Sequence, residues 1–325
     1  MGRVAPCVGV GIESPVTYRV CLSDSRDPYW NLALEELLLD QADGGEPVLL
    51  LWRSGPAVVI GKNQNPWREC ALPWMAHAGV RLARRVSGGG AVYHDEGNLN
   101  YAFIMPRADY DTDGMFGQVL AVLADLDLAV ERSGRTSLAC NGLKISGNAF
   151  CFRRGGALHH GTLLLDADLE RMQAALTPPD WTFDTRATSS IPAPVCNLRA
   201  FRPDLTVERV AEACAARWGH GRLERATDLL PAADIEGLAA ERSTDDWLYR
   251  QTPAFTVRIP LDPGKERTLR VVKGRVEEVD GRSGADGNGA PFSHTLVERI
   301  RSGEQEVQGQ ILQRQAGGAQ GQHPA

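Results

Sequence analysis

Apolar and polar positions alternate along the chain with two periods, one typical of strands and one of helices. VLLLW (48–52) and AVVIG (57–61) are continuous apolar runs of strand length, separated by turn residues, and we predict two strands. Apolar residues at helical spacing predict amphipathic helices near 29–41, 115–126 and 206–218. Because strands and helices alternate irregularly, we predict an α+β fold with a mixed β-sheet.

The C-terminal quarter has a different pattern. From about Trp247, the segments AFTVRIPL, TLRVVKGRVEEVD and SHTLVERIRSG predict a strand, a hairpin and a helix. We therefore expect a large domain over 17–245 and a small α+β accessory domain over 246–303. The leader 1–16 and the Gln- and Gly-rich tail 304–325 have few large apolar residues, and we expect both to be disordered.

Composition and charge limit the classes of binding partner and indicate the cellular compartment. The chain has 325 residues, a net charge of -6 and a pI near 5.7, which disfavours non-specific nucleic-acid binding. No apolar run approaches the roughly 18 residues of a spanning helix, so we expect no membrane segment. Seven cysteines without a C-x-x-C pair fit neither a disulfide framework nor a zinc site. With no signal-peptide pattern at the N-terminus, these features predict a cytoplasmic protein.

The segment RRVSGGGAVYHD (84–95) is the first candidate site. Glycines without a Cβ allow backbone N–H groups to converge on an anion, and Arg84 and Arg85 stand beside Gly88, Gly89 and Gly90. The segment is neither a P-loop nor a G-x-G-x-x-G fingerprint. A phosphate or adenylate cradle, in which both arginines would offset the charge of the ligand, is one interpretation, and a bend where another backbone passes close is the other.

Lys144 is the second candidate. It follows Asn141-Gly142, a strong two-residue hairpin signal, and a lysine there can direct an ammonium at a carbonyl or phosphate oxygen. The alternative is an ordinary exposed strand lysine.

Two histidine motifs, His94-Asp95 and His159-His160, could take part in acid–base or metal chemistry. Neighbouring strand residues point to opposite faces, so at most one member of each pair can line a given site. For each we expect structural hydrogen bonding.

Four segments together, in this order, resemble one known family: WRSGPAVVIGKNQNPW (52–67), RRVSGGGAVYHDEGNLN (84–100), NGLKISGNAF (141–150) and HHGTLLLDADL (159–169). The chain resembles lipoate-protein ligase A from about Tyr18 to QTPAF (251–255). This resemblance implies the biotin/lipoate A/B protein ligase type of catalytic domain, followed by the small accessory domain. A biotin-protein ligase shares this fold, but its GRGRRGR-type loop is absent.

The resemblance also implies a reaction. Lipoate and ATP, with Mg²⁺, would give lipoyl-AMP, and the lipoyl group would then pass to a lysine of an apo lipoyl domain. The implied acceptors are acyltransferase subunits of 2-oxoacid dehydrogenases and the glycine cleavage H protein. Lys144 would be the catalytic residue, an electrostatic catalyst between the lipoyl carbonyl and the α-phosphate. We expect a monomer, because a whole acceptor domain must enter the site.

The family's binding residues carry over onto matching positions. The resemblance implies a nucleotide and lipoyl-AMP site made of Arg85, Ser87, Gly88, Gly89, Gly90, Ala91, Val92, Tyr93, Lys144 and His160. Trp52 and Val59 would line an apolar tunnel for the lipoyl arm. Mg²⁺ would bridge phosphates, so no protein metal ligands are predicted.

Some positions depart from the family pattern. Thr136 and Ser137 replace a usual Asn-Asp pair that contributes to nucleotide and metal binding, Asn141 replaces a common aspartate, and Cys151 stands where an arginine is frequent. Loss of a carboxylate could weaken the handling of Mg-ATP.

These departures leave alternatives open. One is a lipoyltransferase or octanoyltransferase that lacks the activation step, whose cysteine-dependent form would use Cys140 or Cys151 as nucleophile. Another is a non-catalytic homologue that binds lipoyl domains. The intact Lys144 and triple glycine favour an enzyme.

Overall fold

The computed structural model describes residues 17–261, 264–283 and 289–302 of the chain. The predicted leader, 1–16, and the predicted tail, 304–325, lie outside the described residues. Within the part described, no helix combines the length and apolarity needed to cross a membrane.

The elements follow the chain in an irregular order of strands and helices. In the described ranges the strands are β1 (Arg19–Leu22), β2 (Val48–Trp52), β3 (Ala57–Ile60), β4 (Arg81–Arg84), β5 (Val92–His94), β6 (Asn98–Pro106), β7 (Glu131–Ser133), β8 (Ser137–Cys140), β9 (Leu143–Arg153), β10 (Gly156–Leu164), β11 (Thr182–Thr185), β12 (Glu224–Arg225), β13 (Phe255–Pro260), β14 (Glu266–Val272), β15 (Arg275–Val279) and β16 (Arg282–Ser283). The α-helices there are α1 (Pro28–Asp40), α2 (Pro66–Glu69), α3 (Leu72–His77), α4 (Thr112–Asp125), α5 (Leu169–Ala175), α6 (Val207–Trp218), α7 (Ala232–Arg242), α8 (Asp245–Leu248) and α9 (His294–Arg301).

An eight-stranded mixed sheet forms the centre of the large domain, in the order β12-β1-β2-β6-β10-β9-β8-β7. Only the pairs of β1 with β12 and β2 are parallel. Because side chains alternate between the two faces of a strand, Leu49 and Leu51 enter the core under α4 and α6. Leu50 and Trp52 enter the core under α1 and α7. Burial on both faces explains the continuous apolar run at 48–52, and the predicted α+β fold with a mixed sheet is confirmed.

The helix boundaries follow the capping signals in the sequence. Asp27 caps α1 by accepting from the N–H of Tyr29, with Pro28 in the first turn, and Thr206 caps α6 in the same way through Arg209. All three predicted helices are present.

A three-stranded sheet, in the order β4-β3-β5, carries the glycine segment. β3 pairs parallel with β4 and antiparallel with β5, so the two strands that flank the glycines lie on either side of β3. The loop Arg85–Ala91 therefore crosses over the end of β3.

The Asn141-Gly142 hairpin is confirmed. Asn141 and Gly142 both have positive φ, 50° and 77°, between the antiparallel strands β8 and β9. Two successive positive φ values are the conformation of a type I′ turn, which Asn-Gly favours. The asparagine that replaces an aspartate at 141 thus has a structural role in the turn.

The small C-terminal sheet has the order β11-β13-β14-β15-β16, and α9 packs on it. The strand, hairpin and helix predicted there are present. The edge strand β11, Thr182–Thr185, comes from far upstream and pairs antiparallel with β13. The predicted boundary at 245/246 stays a prediction.

Arg84 ties the small unit's linker to the three-stranded sheet. Its buried guanidinium donates to the carbonyls of Leu248, Gly61, Lys62 and Gln64 and to the hydroxyl of Thr252. Burial lowers the pKa of Arg84 to about 10. One cation thus satisfies acceptors from two separate segments of the chain.

Replacing Arg84 by leucine should lower the free energy of unfolding by about 2–4 kcal/mol, because several buried acceptors lose a charged donor. Urea unfolding of the whole chain measures this change. Arg258→Leu, at an exposed position on β13, is the matched control and should stay within about 0.5 kcal/mol of the parent. Equal effects of both substitutions would contradict the tethering role.

Candidate active site

Two cavities meet at Lys144. The first, of about 530 Å³, reaches between α1, β2 and β10, and the second, of about 770 Å³, lies beside α5. Both are lined by the same central group: Ala91, Val92, Lys144, Gly147, Thr162, Ser189, Ser190, Ile191 and Ala193. Together they form one branched site.

The backbone and a glycine place the ammonium of Lys144. Its N–H donates to Pro194 and its carbonyl accepts from Cys196, so the residue is fixed on both sides. A register shift in β9 opposite Leu138 and Ala139 marks a bulge beside it, a common device for re-aiming a side chain. A Cβ on Gly147 would lie 3.3 Å from the Nζ of Lys144. The missing side chain at Gly147 therefore makes room for the ammonium.

Lys144 has no carboxylate partner among the described residues. Burial lowers its pKa from the ordinary value of 10.5. An unpaired, half-buried ammonium at the junction of two cavities favours an anionic ligand there.

The glycine loop rests on the backbone of Gly61. A Cβ on Gly61 would collide with the carbonyl of Gly89, so the two backbones approach too closely for a side chain. Gly89 has φ +86°, a conformation that glycine adopts without strain. A Cβ on Gly90 would lie 3.1 Å from the Oγ of Ser190. The loop thus contains the close backbone contact that was one interpretation of the sequence, and it also lines the first cavity.

Arg85 braces this loop from behind. Its Nε and Nη2 donate to the carbonyl of Gly88, Nη2 also to Gly90, and Nη1 to Val59. Only 6% exposed, the guanidinium forms no ion pair with a described residue, and burial lowers its pKa to about 10. Because the peptide is planar and trans, the N–H of Gly89 points away from Arg85 when the Gly88 carbonyl faces it.

A buried hydrogen-bonded chain forms the inner wall of the first cavity. Glu35, 2% exposed, accepts from the Nε1 of Trp52 at 2.8 Å, and its second oxygen lies 2.7 Å from the Nδ1 of His160. The Nε2 of His160 lies 2.7 Å from the Oγ of Ser87, which accepts from the Nε of Arg85. Glu35 therefore connects the tryptophan wall to the glycine loop.

The side chains of His159 and His160 point to opposite faces of the sheet, as strand geometry predicts. His160 lines the first cavity, while His159 packs among Phe103, Phe116 and Phe150 on the opposite face. Burial lowers the pKa of His159 to about 3, so it is neutral.

His94 differs from the expectation of structural hydrogen bonding. It lines the first cavity at 2% exposure, edge-on to Trp52, and neither ring nitrogen has a partner among the described residues. Burial lowers its pKa to about 3. We expected a hydrogen-bonded residue, and the structure instead directs an unpartnered imidazole at the cavity.

The structure brings most of the predicted residues together. The first cavity is lined by Trp52, Val59, Arg85, Gly89, Gly90, Ala91, Val92, Lys144 and His160. Tyr93 lines the second cavity. Ser87 and Gly88 belong to the same loop but line neither cavity, and both accept hydrogen bonds from Arg85. Arg84 also lines neither, because adjacent strand residues point apart, so the expectation that both arginines offset ligand charge directly is corrected for Arg84.

The positions that depart from the family pattern, and the two candidate cysteines, differ in whether they line a cavity. Thr136 and Ser137 line the first cavity, and the carbonyl of Thr136 accepts from the backbone and side-chain nitrogens of Asn148. Cys140 and Cys151 line neither cavity, and burial raises the pKa of both thiols. Neither cysteine has the lowered pKa of a nucleophile.

The lining offers no protein cage for a metal ion. Within 17–261, 264–283 and 289–302 no cluster of three metal-ligating side chains occurs. The carboxylates that line the cavities are Glu35, bound to Trp52 and His160, and Glu69, bound to Arg68 at 2.9 Å. These residues do not fit a resident Mg²⁺ site, and a magnesium ion would arrive with the phosphates of its nucleotide.

The sequence did not predict a place at the first cavity for three residues: Glu35, His94 and Ser190. Ser190 accepts from the N–H of Ala91 and from Gln64, and thereby pins the glycine loop from the far side. Glu35 carried one local signal, a carboxylate in a helix whose neighbours Leu32, Leu34 and Leu39 are apolar. No local pattern marks Ser190.

Replacing Glu35 by leucine should lower the free energy of unfolding by about 2–3 kcal/mol, because two buried groups lose their acceptor. Urea unfolding followed by tryptophan fluorescence measures the change in stability. Glu35→Gln is the matched control, since its amide can accept from Trp52 and donate to the other tautomer of His160. We expect that variant to retain most of the stability, and equal losses in both variants would contradict the network.

Comparison with known proteins identifies the fold. A family model of the lipoyl protein ligase A/B catalytic domain matches residues 27–219. The structure of P. falciparum LipL1 in complex with lipoate shares 23% identity, with a TM-score of 0.63 over 88% of this chain and 98% of that chain. At that identity the likeness shows the fold alone.

Two further solved structures are similar at slightly higher identity. One is a bipartite lipoate protein ligase from Thermoplasma acidophilum, studied with its E2 lipoyl domain, with 26% identity, a TM-score of 0.60, and coverage of 72% of this chain and 96% of that one. The other is a lipoate-protein ligase A bound with ATP, with 27% identity, a TM-score of 0.58, and coverage of 71% and 98%. The predicted lipoate ligase type of fold is confirmed, and the chain belongs to the lipoyl protein ligase A/B family.

Proposed function

We propose that this protein is an ATP-dependent lipoate-protein ligase that forms lipoyl-AMP and transfers the lipoyl group to a lysine of an apo lipoyl domain. The observation that carries the proposal is the position of Lys144. Its ammonium stands at the junction of two cavities and has no carboxylate partner among the described residues. Relatives of the same family are described with lipoate, with ATP and with a lipoyl domain.

The two cavities divide the substrates by chemistry. The first has apolar walls from Leu32, Trp52 and Val59, which suit an acyl arm with a cyclic end. The second is larger, is bordered by Tyr93 and Met172, and takes the outer part of the nucleotide, whose phosphates reach the glycine loop, Thr136 and Ser137 in the first. The carboxylate of lipoate and the α-phosphate of ATP then meet at Lys144.

The two half-reactions need positive charge at the same point. In the first, a lipoate oxygen attacks the α-phosphorus and pyrophosphate leaves, so two anions must approach each other. In the second, the neutral acceptor amine attacks the carbonyl carbon, AMP leaves with the bonding electrons, and the amine loses a proton. Lys144 offsets the charge in both steps and is not itself acylated. Arg85 adds a fixed positive charge behind the glycine loop.

The expected acceptors, oligomeric state, compartment and metal ion depend on the same proposal. Lipoyl domains of 2-oxoacid dehydrogenase acyltransferase subunits and the glycine cleavage H protein are the expected acceptors. A monomer in the cytoplasm, with Mg²⁺ bound to ATP, remains our expectation.

A second candidate is a lipoyltransferase or octanoyltransferase without the activation step. Thr136 and Ser137 favour it, because they line the first cavity without a carboxylate. The cysteine-dependent form is disfavoured, since Cys140 and Cys151 lie outside both cavities and burial raises the pKa of both. A non-catalytic homologue that binds lipoyl domains is the third candidate.

The first experiment is the intact mass of an apo lipoyl domain after incubation with this protein. One sample contains lipoate and Mg-ATP, and the other contains synthetic lipoyl-adenylate. We expect a lipoyl mass gain in both, at least 100-fold slower with Lys144→Ala, because one electrostatic stabiliser contributes about 10²–10³ in rate. Lys265→Ala, at an exposed position, is the control and should act like the parent.

The outcomes of this experiment separate the candidates. A gain with lipoyl-adenylate alone indicates a transferase, and a gain in neither sample indicates a binding homologue. Unchanged transfer by Lys144→Ala would remove the assigned role of this lysine.

The pH profile gives an independent test of Lys144. Its protonated form is the active one, and burial lowers its pKa, so the active fraction falls as pH rises through that lowered value. We expect kcat/KM for ATP to decline at a lower pH than an ordinary lysine would give. Lys144→Arg keeps its charge across this range, so its residual activity should lack the decline. A decline that persists in Lys144→Arg would belong to another group.

A further inference from the structure

Ile191 is exposed to an unusual degree at the mouth of the site. Its side chain is 88% exposed, the highest value among the large apolar residues of the described ranges. It borders both cavities. Isolated exposed apolar residues are common, but this one stands at the junction of the two cavities of the site.

The segment that carries Ile191 is held firmly. The N–H of Thr188 donates to Asn63, and the N–H of Ser190 donates to the buried Glu69. On the other side, Pro194 pairs with the backbone of Lys144. Because the backbone is anchored before and after Ile191, the fold presents this side chain to solvent.

The surroundings of Ile191 are apolar and basic. Pro192 and Ala193, which follow Ile191 in the chain, also line the second cavity. Arg135 is an exposed member of the first cavity's lining and forms no ion pair with a described residue. The carboxylates that line the cavities, Glu35 and Glu69, are both buried. The mouth is therefore positive although the chain has a net charge of -6.

We propose that Ile191 and Arg135 form the docking surface for the acceptor lipoyl domain, with Ile191 as its apolar anchor. This inference rests on the proposed function. A lysine on a folded domain can reach the carbonyl at Lys144 only if the surface around that lysine covers this mouth. Charge complementarity selects an acceptor with an apolar residue and at least one carboxylate beside the modified lysine.

The test compares acceptor binding with adenylate formation in Ile191→Asp. The dissociation constant of a fluorescently labelled apo lipoyl domain is measured by anisotropy, and lipoyl-adenylate formation is measured without acceptor. We expect the dissociation constant and the KM for the acceptor to rise about ten-fold. This rise should exceed any change in adenylate formation by at least five-fold. Ile191→Leu should restore binding, and Leu223→Asp, at an exposed apolar residue outside both cavities, should leave it unchanged.

The two measurements distinguish the failure of this inference from the failure of the proposed function. If the parent forms adenylate and Ile191→Asp binds the domain normally, the proposed docking surface is wrong, but the proposed ligase activity is unaffected. If Ile191→Asp lowers adenylate formation as much as acceptor binding, the side chain serves the nucleotide and the docking surface is wrong. If the parent forms no adenylate but binds the domain through Ile191, the docking surface stands without the ligase. A parent that does not bind the domain overturns the inference.

Discussion

The structure of the site depends on one buried cation and the carbonyls that surround it. The guanidinium of Arg85 has no ion pair in the described part of the chain and is satisfied by the carbonyls of Val59, Gly88 and Gly90 and by Ser87. A buried charge without partners is costly, so the loop must fold around it in one way. That conformation requires positive φ at Gly89 and a close contact with Gly61, which only glycines allow. Gly89 is therefore required by the backbone, and together with Gly90 it lines the first cavity, whereas a Cβ on Gly88 would meet no neighbouring atom.

This arrangement leaves a surplus of positive charge at the site. Arg85 and Lys144 lie at the first cavity, and its carboxylate, Glu35, already accepts from Trp52 and approaches His160. The protein does not neutralise the two cations itself, although a carboxylate near Lys144 would raise its stability. An anionic ligand would therefore gain the charge interaction with these cations that the folded chain does not make itself, as is usual at sites that stabilise developing charge. The hydrogen bonds that run from Glu35 through His160 and Ser87 to Arg85 connect the apolar wall of the cavity to the charged loop.

Local patterns in the sequence predicted much of the fold. The apolar run at 48–52, the capped helix after Asp27 and the Asn141-Gly142 turn each depend on a few neighbouring residues, and all are present. The opposite orientations of His159 and His160 followed from strand geometry alone. The edge strand β11 escaped notice because its partner β13 lies some 70 residues away, and the short segment has no strong periodicity.

The site was predictable only in part, for a related reason. Motif matches indicated Lys144 and the glycine loop, but Arg84 and Arg85 look alike in the sequence, and the strand sends their side chains to different places. Ser190 contacts Ala91, 99 positions away, and Glu35 contacts His160, 125 positions away, as well as the nearer Trp52. The apolar neighbours of Glu35 mark it as unusual, but no local signal assigns the partners of either residue.

The substitutions at Thr136 and Ser137 affect chemistry more than shape. Asn148 holds the backbone of the β7–β8 hairpin, because its backbone and side-chain nitrogens both donate to the carbonyl of Thr136. This contact does not use the side chain at 136. Any residue at 136 can provide that carbonyl, so the hairpin keeps its place when the side chain changes. The family resemblance implies a carboxylate at this pair, and without it the hairpin offers no acidic side chain that could hold a metal-bound phosphate. Under the proposed function, activation and transfer would therefore depend differently on this hairpin, since transfer from a preformed adenylate would require the cavity and Lys144 but no metal-bound triphosphate.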